Sequence, residues 1–339
     1  GTGKTVTVNS ITLADGSNGG LAANYSISAG QTTTANITAK ALTVSGITSS
    51  NKTYDSNTTA TLDTSSVNYS GLVTGDDFSG TYSGVFDNKN VGAGKTVTIT
   101  TNYSGTDVGN YNVTGQSNTT ADITIKVLTA TASASNKVYN ATNAGATTLS
   151  LSGLIGLETL SVTNTSTFNN KNVGTGKTVT VNSISLANGS NGGLASNYQL
   201  SSGQTTTADI TAKGLTVSGI TAGNKTYDSN TTATLGTSLI SYNGLIAGDV
   251  FNGTYSGAFD NKNVGNGKTV TITPSYTGAD VSNYSVTNQS STTANITAKA
   301  LTVSGITASN KTYDANTTAT LDASSVSYSG LVSGDTFSG

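Results

Sequence analysis

The chain has 339 residues and contains no His, Cys, Met or Trp. It also has no Arg, and Glu158 is the single glutamate among its 17 acidic residues. Each absence removes a class of chemistry. Without imidazole or thiol there is no Ser-His or Cys-His nucleophile pair, no Cys/His zinc site and no histidine switch near neutral pH. Without guanidinium there is no bidentate clamp for phosphate. Charged residues make up 9% of the chain and the net charge is -2, so neither a basic stripe for nucleic acid nor an acidic steering field is present. The lack of cysteine excludes a disulfide framework and fits a secreted chain that folds without oxidation machinery. No apolar run approaches 18 residues and nothing at Gly1 resembles a signal peptide, so no membrane insertion is expected of this segment. Proline is nearly absent too, with Pro274 alone.

What is present repeats. Asn51-Lys52-Thr53-Tyr54-Asp55 returns at Asn224-Lys225-Thr226-Tyr227-Asp228 and Asn310-Lys311-Thr312-Tyr313-Asp314, and in diverged form at Asn136-Lys137-Val138-Tyr139-Asn140. A period of about 86 residues is too long for one coil of a solenoid and suits a small domain, so the chain reads as a tandem array. The 34% hydrophobic residues sit in strict alternation, which argues against disorder in a chain otherwise rich in Gly, Ser, Thr and Asn.

The phase of that alternation places the boundaries. In Thr119-Thr120-Ala121-Asp122-Ile123-Thr124-Ile125-Lys126 the inward set is Ala121, Ile123 and Ile125, whereas beyond Val127 it becomes Leu128 and Ala130. A slip of one residue turns a strand over, so one strand ends at the lysine and another begins. The same junction recurs at Lys40-Ala41, Lys213-Gly214 and Lys299-Ala300. The reading is therefore complete repeats at 41–126, 127–213 and 214–299, with partial repeats at 1–40 and 300–339. The repeats at 41–126 and 214–299 are of one type. The middle repeat is of a second type, which 1–40 matches from Gly174 onward. The chain is expected to be a window of a longer one. Joints this short predict a semi-rigid rod in which each domain, with a radius of gyration of about 12 Å, adds roughly 30–40 Å.

Within a repeat no 3.6-residue apolar stripe outlasts one turn, and Thr, Val, Ile and Tyr dominate. For 41–126 the pattern predicts strands at 42–47, 52–54, 60–62, 67–69, 78–86, 96–100, 111–113 and 120–125, punctuated by Asp87-Asn88-Lys89-Asn90 and Gly92-Ala93-Gly94. The fold class is all-β: small antiparallel β-sandwich or β-grasp-like domains, with one wet face on the sheet. The expected core includes Leu42, Val44, Ile47, Tyr54, Leu62, Val67, Leu72, Phe78, Phe86, Val97, Ile99, Val108, Tyr111, Val113 and Ile123. Such a core is marginal at this size, so contacts with neighbouring repeats should matter.

Several motifs invite chemistry. Gly94-Lys95-Thr96 recurs at Gly3, Gly176 and Gly267, but a phosphate loop needs a glycine where Lys89, Lys171 and Lys262 stand, and a helix afterwards. A hairpin turn is the reading instead. Tyr54 and Asp55 could stack and hold a sugar; the preferred reading is structural, with the Tyr54 ring inward and the Asp55 carboxylate bonding nearby amides of a turn. Gly105-Thr106-Asp107-Val108-Gly109-Asn110-Tyr111, matched at 278–284, reads as a corner in which the tyrosine hydroxyl ties the entering loop. Calcium at Asp76, Asp77, Asp107 or Asp280 is disfavoured because each repeat offers few carboxylates, with Glu158 read at the position of Asp77. An internal Lys–Asn crosslink needs a buried acid beside the pair, and no such triplet is evident. Ice binding needs a flat stack of short coils. The Asn-X-Ser/Thr triplets are what this composition gives by chance. No catalytic, cofactor-binding or metal residue is assigned.

The Lys-Thr-Tyr-Asp run, followed by Asn57-Thr58-Thr59-Ala60-Thr61-Leu62, Gly71-Leu72-Val73-Thr74-Gly75-Asp76, Asp87-Asn88-Lys89-Asn90-Val91-Gly92, Gly109-Asn110-Tyr111 and Asp122-Ile123-Thr124, resembles the YDG repeat of large bacterial surface and secreted proteins of the filamentous haemagglutinin type. The match spans the chain. The glycine that follows Tyr-Asp in that repeat is replaced by Ser56, Ser229 and Ala315, which implies a turn without a glycine-only backbone angle. The resemblance implies a non-catalytic β-rich stalk of a long exported adhesin or extracellular fibre, usually Gram-negative, with no known ligand. The expected partners are neighbouring repeats, like filaments laterally, and glycans or cell surfaces. A multivalent glycan-binding array is the alternative, and exposed tyrosines forming a groove on every repeat would favour it.

Overall fold

The computed structural model describes residues 1–337 and is built from strands and single 3-10 turns. The repeat at 41–126 shows how the elements arise. Its strands are β3 (Lys40–Ser45), β4 (Thr48–Ser49), β5 (Lys52–Thr53), β6 (Thr59–Ala60), β7 (Leu62–Asp63), β8 (Asn68–Ser70), β9 (Ser79–Phe86), β10 (Gly92–Ser104), β11 (Tyr111–Thr114) and β12 (Asn118–Thr124). They follow β1 (Lys4–Thr7) and β2 (Thr32–Ala35), an antiparallel pair in the opening segment. Five strands form one sheet in the order β5-β12-β10-β9-β6, and three form another, β11-β3-β8.

Alternation drives the layering. On β10 the side chains of Lys95, Val97 and Ile99 are buried while the threonines between them are exposed. On β3 Leu42 and Val44 are buried between exposed neighbours. Val44, Ile47 and Ile99 form one cluster, backed by Val67, Tyr69, Tyr82, Tyr103 and Val113. Polar side chains complete the frame. Gln116 grips the loop after β3 by accepting from the Ile47 N–H at 3.0 Å and donating to its carbonyl at 2.7 Å, and Gln289 does the same for Ile220. The Asn51 side chain accepts from the Asp122 N–H at 2.7 Å, fixing the start of the repeat to its last strand.

Three features depart from the sequence expectation. The sheets are mixed: β11 runs parallel to β3 and β12 runs parallel to β5, because the chain crosses from the small sheet to the large one twice in the same direction. The strand expected at 96–100 extends over 92–104, since Gly92-Ala93-Gly94 makes a bulge inside a continuous strand and not a hairpin turn. There the register shifts between Gly92 and Lys95, Gly94 takes φ +58°, and its N–H donates to Asp122 at 2.7 Å. The bulge rotates Lys95 onto the inner face. The third departure is the 3-10 turn Val108–Asn110.

The strand break at the junction lies where the alternation slips. β12 ends at Thr124 and β13 (Lys126–Val127) starts one residue later; in the next repeat the strands Thr205–Thr211 and Lys213–Ser218 are separated by one residue. β13 pairs in parallel with Tyr198–Gln199, as β3 does with β11.

By contacts the chain forms two compact units. One contains Gly1–Ala130, Leu151–Thr163 and Ser185–Ser201; the other contains Thr131–Ser150, Asn164–Ile184 and the chain from Ser202 onward. The division runs through the middle repeat, and each unit joins the five-stranded end of one repeat to the small-sheet end of the next.

Candidate functional site: an acidic joint between repeats

The joint starts from the Tyr-Asp turn. Lys52 lies with its Nζ 5.4 Å from the Phe86 ring centroid and bonds Asp55 Oδ1 at 2.8 Å, the Asn57 carbonyl at 2.8 Å and the Thr59 carbonyl at 3.1 Å. The Asp55 carboxylate also accepts from the Asn57 N–H, as expected for a turn-forming acid, and these hydrogen bonds hold it below its ordinary pKa against the opposing effect of burial. At the apex Ser56 takes φ +66°, with Ala141, Ser229 and Ala315 at +61°, +68° and +57°. All four copies thus adopt the left-handed region that favours glycine, and non-glycine residues bear the cost, so the angle is glycine-favouring without being glycine-only.

The turn thrusts Tyr54 forward. Its ring is inward as expected, with 1% exposure, but its hydroxyl reaches out of the repeat and donates to Glu158 Oε1 at 2.7 Å. Ser56 donates to the same oxygen at 2.8 Å, and Lys89 at 3.1 Å. Tyr198, from the same repeat as Glu158, donates to Oε2 at 2.7 Å while accepting from the Ile155 N–H at 3.1 Å. Four donors therefore satisfy the carboxylate. Burial alone would raise the Glu158 pKa; the hydrogen bonds from Tyr198, Tyr54, Ser56 and Lys89 overcome it and hold the group at about 2. Tyr198 is pushed up to about 12 by burial and by its bond to Glu158, and Lys89 is raised chiefly by that carboxylate.

The Gly-Lys-Thr bulge supplies the lysine's platform. Lys95 Nζ bonds Asn88 Oδ1 at 2.9 Å and Asp87 Oδ1 at 2.7 Å, and Asn88 Oδ1 accepts from the Asn90 N–H. The loop so fixed presents Lys89 to Glu158 and Asn90 to Asn197, whose side chain donates to Asn90 at 3.1 Å and accepts from the Val91 N–H at 2.9 Å. Lys95, Asn88 and Asp87 also bring together the amine, amide and acid that a crosslink would need. Asp87, however, is 46% exposed and its pKa is lowered, first by Lys95, so the buried acid that a crosslink needs is not what stands beside this pair.

Apolar packing seals the joint. Tyr54, Ala60, Phe86, Val97, Ala121 and Ile123 of one repeat share a single cluster with Leu128 and Tyr198 of the next, flanked by Leu151, Leu154 and Ile155. The Tyr54 and Tyr198 rings meet edge to face at 5.3 Å.

The second unit repeats the design with different acids. Tyr139 donates to Asp249 at 3.0 Å and to Asp280 at 3.3 Å, Lys171 pairs with Asp280 at 3.0 Å, and Tyr284 also donates to Asp249. Asn283 accepts from the Val173 N–H at 3.0 Å. Tyr139 and Tyr284 meet at 5.6 Å within one cluster containing Phe168 and Phe251. One glutamate in the first joint thus does the work of two aspartates in the second. Further on, Tyr227 donates to Asp335 at 2.9 Å.

The corner expected at 105–111 is present: Tyr111 donates to Asp76 and accepts from the Val73 N–H at 3.0 Å. Because Tyr111, Tyr198 and Tyr284 play the same part, Glu158 corresponds to Asp76 and not, as the sequence reading had it, to Asp77. The residues considered for calcium are engaged by hydrogen-bond donors: Asp77 accepts from the Thr106 N–H, Asp107 from the Asp77 N–H, and Asp280 from the Val250 N–H and Lys171. Among the described residues no group of three or more acids is placed to hold a metal ion. The sequence reading missed the contact between Tyr54 and Glu158, which are 104 residues apart; the available signal was an acid and a tyrosine that recur from repeat to repeat.

Residues 38–121, 124–208, 211–294 and 297–338 each match the YDG domain. The chain belongs to the YDG domain family. No curated protein matches it. Among solved structures, the crystal structure of the I9-I11 tandem from titin is similar at 9% identity over 77% of this chain and 97% of that one, with a TM-score of 0.16 that carries no argument about fold.

Proposed function

We propose that these tandem YDG repeats are a non-catalytic structural segment of a long secreted bacterial adhesin or extracellular filament, whose task is to hold distance: a stalk, or part of a biofilm or sheath matrix. The observation that carries this reading is the joint. A tyrosine, a lysine and an asparagine of one repeat are received by a buried acid and a buried asparagine of the next, and the hydrophobic cluster continues across the boundary. Domains linked only by a covalent strand would swing; domains sharing a desolvated polar network and a core cluster resist bending. Low charge and a threonine-rich exterior suit solubility over a wide range of salt, and the absence of cysteine suits export. The alternative of a glycan-binding array wants a tyrosine groove on every repeat. Tyr69, Tyr82 and Tyr103 are instead partly buried against the small cluster, which favours the structural reading.

The test is a distance distribution across one joint. Spin labels at Thr81→Cys and Ala187→Cys fall on exposed positions of the first unit in a chain with no other thiol. A narrow distribution that broadens on Glu158→Ala supports the reading. A broad distribution in the otherwise unaltered chain would remove its mechanical basis.

A further inference from the structure

Tension along the chain enters a repeat at its first strand and leaves at its last, so the partners of those strands decide what has to break. In the repeat at 41–126 the strands nearest the entry are β3 and β5, and those nearest the exit are β11 and β12. β3 pairs with β11 from Lys40–Tyr111 to Thr43–Thr114, and β5 pairs with β12 at Lys52–Ile123 and Thr53–Thr124. Both pairings are parallel. A pull on the chain draws β3 and β5 toward their starts and β11 and β12 toward their ends. Parallel partners drawn in opposite senses slide along each other, so the hydrogen bonds of a ladder are loaded together. An antiparallel hairpin pulled at its open end is instead peeled, one pair at a time.

Side chains pin the same two segments together. Gln116 holds Ile47 at both its N–H and its carbonyl, the Asn51 side chain accepts from the Asp122 N–H at 2.7 Å, and the Thr124 hydroxyl donates to the Lys52 carbonyl at 3.2 Å. The Tyr54 N–H extends the second ladder by donating to the Thr124 carbonyl at 2.9 Å. The arrangement recurs in the repeat at 214–299: Lys213–Thr216 runs parallel to Tyr284–Thr287, Lys225–Thr226 runs parallel to Ile296–Thr297, and Asn224 accepts from the Asn295 N–H at 2.7 Å. The middle repeat keeps the first ladder at Lys126–Tyr198 and Val127–Gln199 and the second at Lys137–Ile210 and Val138–Thr211, and Asn136 accepts from the Asp209 N–H at 2.7 Å. The asparagine that opens the Tyr-Asp motif is thus used alike in all three complete repeats.

We propose that each complete repeat is a tension clamp: two parallel ladders, pinned by the motif asparagine, join its entry to its exit and resist a pull along the chain by shear. The stretch 55–110 lies outside the loaded path and is shielded until the ladders part. This goes beyond the role proposed above, since a strut that holds distance needs resistance to bending, whereas a clamp resists extension. It rests on strand directions within a repeat and not on the stalk reading, so either can fail without the other.

Single-molecule extension of the full chain tests it. Handles at Thr38→Cys and Lys299→Cys, both exposed positions of a thiol-free chain, load the three complete repeats along the chain. Handles at Ser79→Cys and Ser104→Cys, which face each other at the open end of the β9–β10 hairpin, load the first of these repeats by peeling. At one constant force the lifetime under end loading should be longer by at least about tenfold. Lifetime under force follows the unfolding rate and not the equilibrium stability, so two triple variants separate the clamp from general weakening. Asn51→Ala with Asn136→Ala and Asn224→Ala removes the side-chain bond beside the second ladder in every complete repeat. Phe86→Leu with Phe168→Leu and Phe259→Leu trims buried rings that stand on neither ladder. Urea denaturation shows that each variant folds and ranks its stability. The asparagine variant should shorten the end-loaded lifetime by at least about fivefold, and the phenylalanine variant by less than about twofold even where urea ranks it the weaker. The comparison of the two loading directions needs neither variant. Peeling that lasts as long as end loading, or end-loaded lifetimes that follow the urea midpoints in both variants, overturns the proposal.

Discussion

At the residue scale the joint depends on one carboxylate. Glu158 is 6% exposed, and removing its side chain leaves the hydroxyls of Tyr54, Tyr198 and Ser56 without their acceptor. Glu158→Ala is therefore expected to cost about 2–4 kcal/mol in equilibrium denaturation followed by tyrosine fluorescence. The same group sets an acid limit. Its folded pKa of about 2 lies below the ordinary 4.5, so its contribution is complete above pH 4.5 and is lost as the pH falls toward 2. The shift corresponds to about 3 kcal/mol. Glu158→Gln should flatten the stability curve across that window. The tyrosines set the opposite limit: Tyr198, raised from 10.0 to about 12, contributes fully below pH 10 and loses that contribution on the way to 12. The left-handed turn yields a third expectation at this scale. Ser229 sits at φ +68°, so Ser229→Gly should stabilise by about 0.5–1 kcal/mol, the relief of left-handed strain exceeding the entropy glycine adds to the unfolded chain. A fall in the denaturation midpoint would contradict it.

At the element scale, two glycines with positive φ should respond differently. A Cβ on Gly46, at φ +86°, would lie 2.1 Å from the Ser66 carbonyl oxygen, so Gly46→Ala combines strain with a backbone clash and should cost several kcal/mol. Gly94, at φ +58° in the bulge of β10, has open space around it, and Gly94→Asn should cost under about 1 kcal/mol. Paired midpoints in urea decide between them. Strands were the legible part of the sequence because the two-residue period is local: β3, β9 and β12 can be read from Leu42, Val44, Phe86, Ala121 and Ile123, and the slip at Lys126 marks the break between sheets. The parallel pairing of β5 with β12 was not legible, since it is fixed by crossovers about seventy residues apart. Nor was the length of β10, because Gly92-Ala93-Gly94 has the composition of a turn and only the pairing with β12 makes it a bulge. The Tyr54 ring points inward and Asp55 bonds the amide of its turn, as the motif predicts, but the partner of the Tyr54 hydroxyl belongs to another repeat, and local propensity carries no information about that.

At the scale of the whole molecule, sequence repeat and folded unit are different objects. The sequence repeat begins at the junction lysine; the compact unit joins 41–126 to Leu151–Thr163 and Ser185–Ser201. Hydrogen exchange should therefore show Glu158→Ala lowering protection at the Tyr54 amide, bonded to the Thr124 carbonyl, together with Leu128 and Ile155, while Val179 and Ile210 keep theirs. Uniform loss across the middle repeat would mean that the repeat, not the unit, is the cooperative element. Each joint also has its own acids, one glutamate in the first and two aspartates in the second, so successive repeats are matched pairs.

The central claim is that repeats are coupled energetically through the buried acid. A double-mutant cycle on Tyr54→Phe and Glu158→Gln, by equilibrium denaturation of the full chain, tests it most directly. Coupling of at least about 1 kcal/mol is predicted; additive effects within error would mean that tyrosine and acid are neighbours without being a joint.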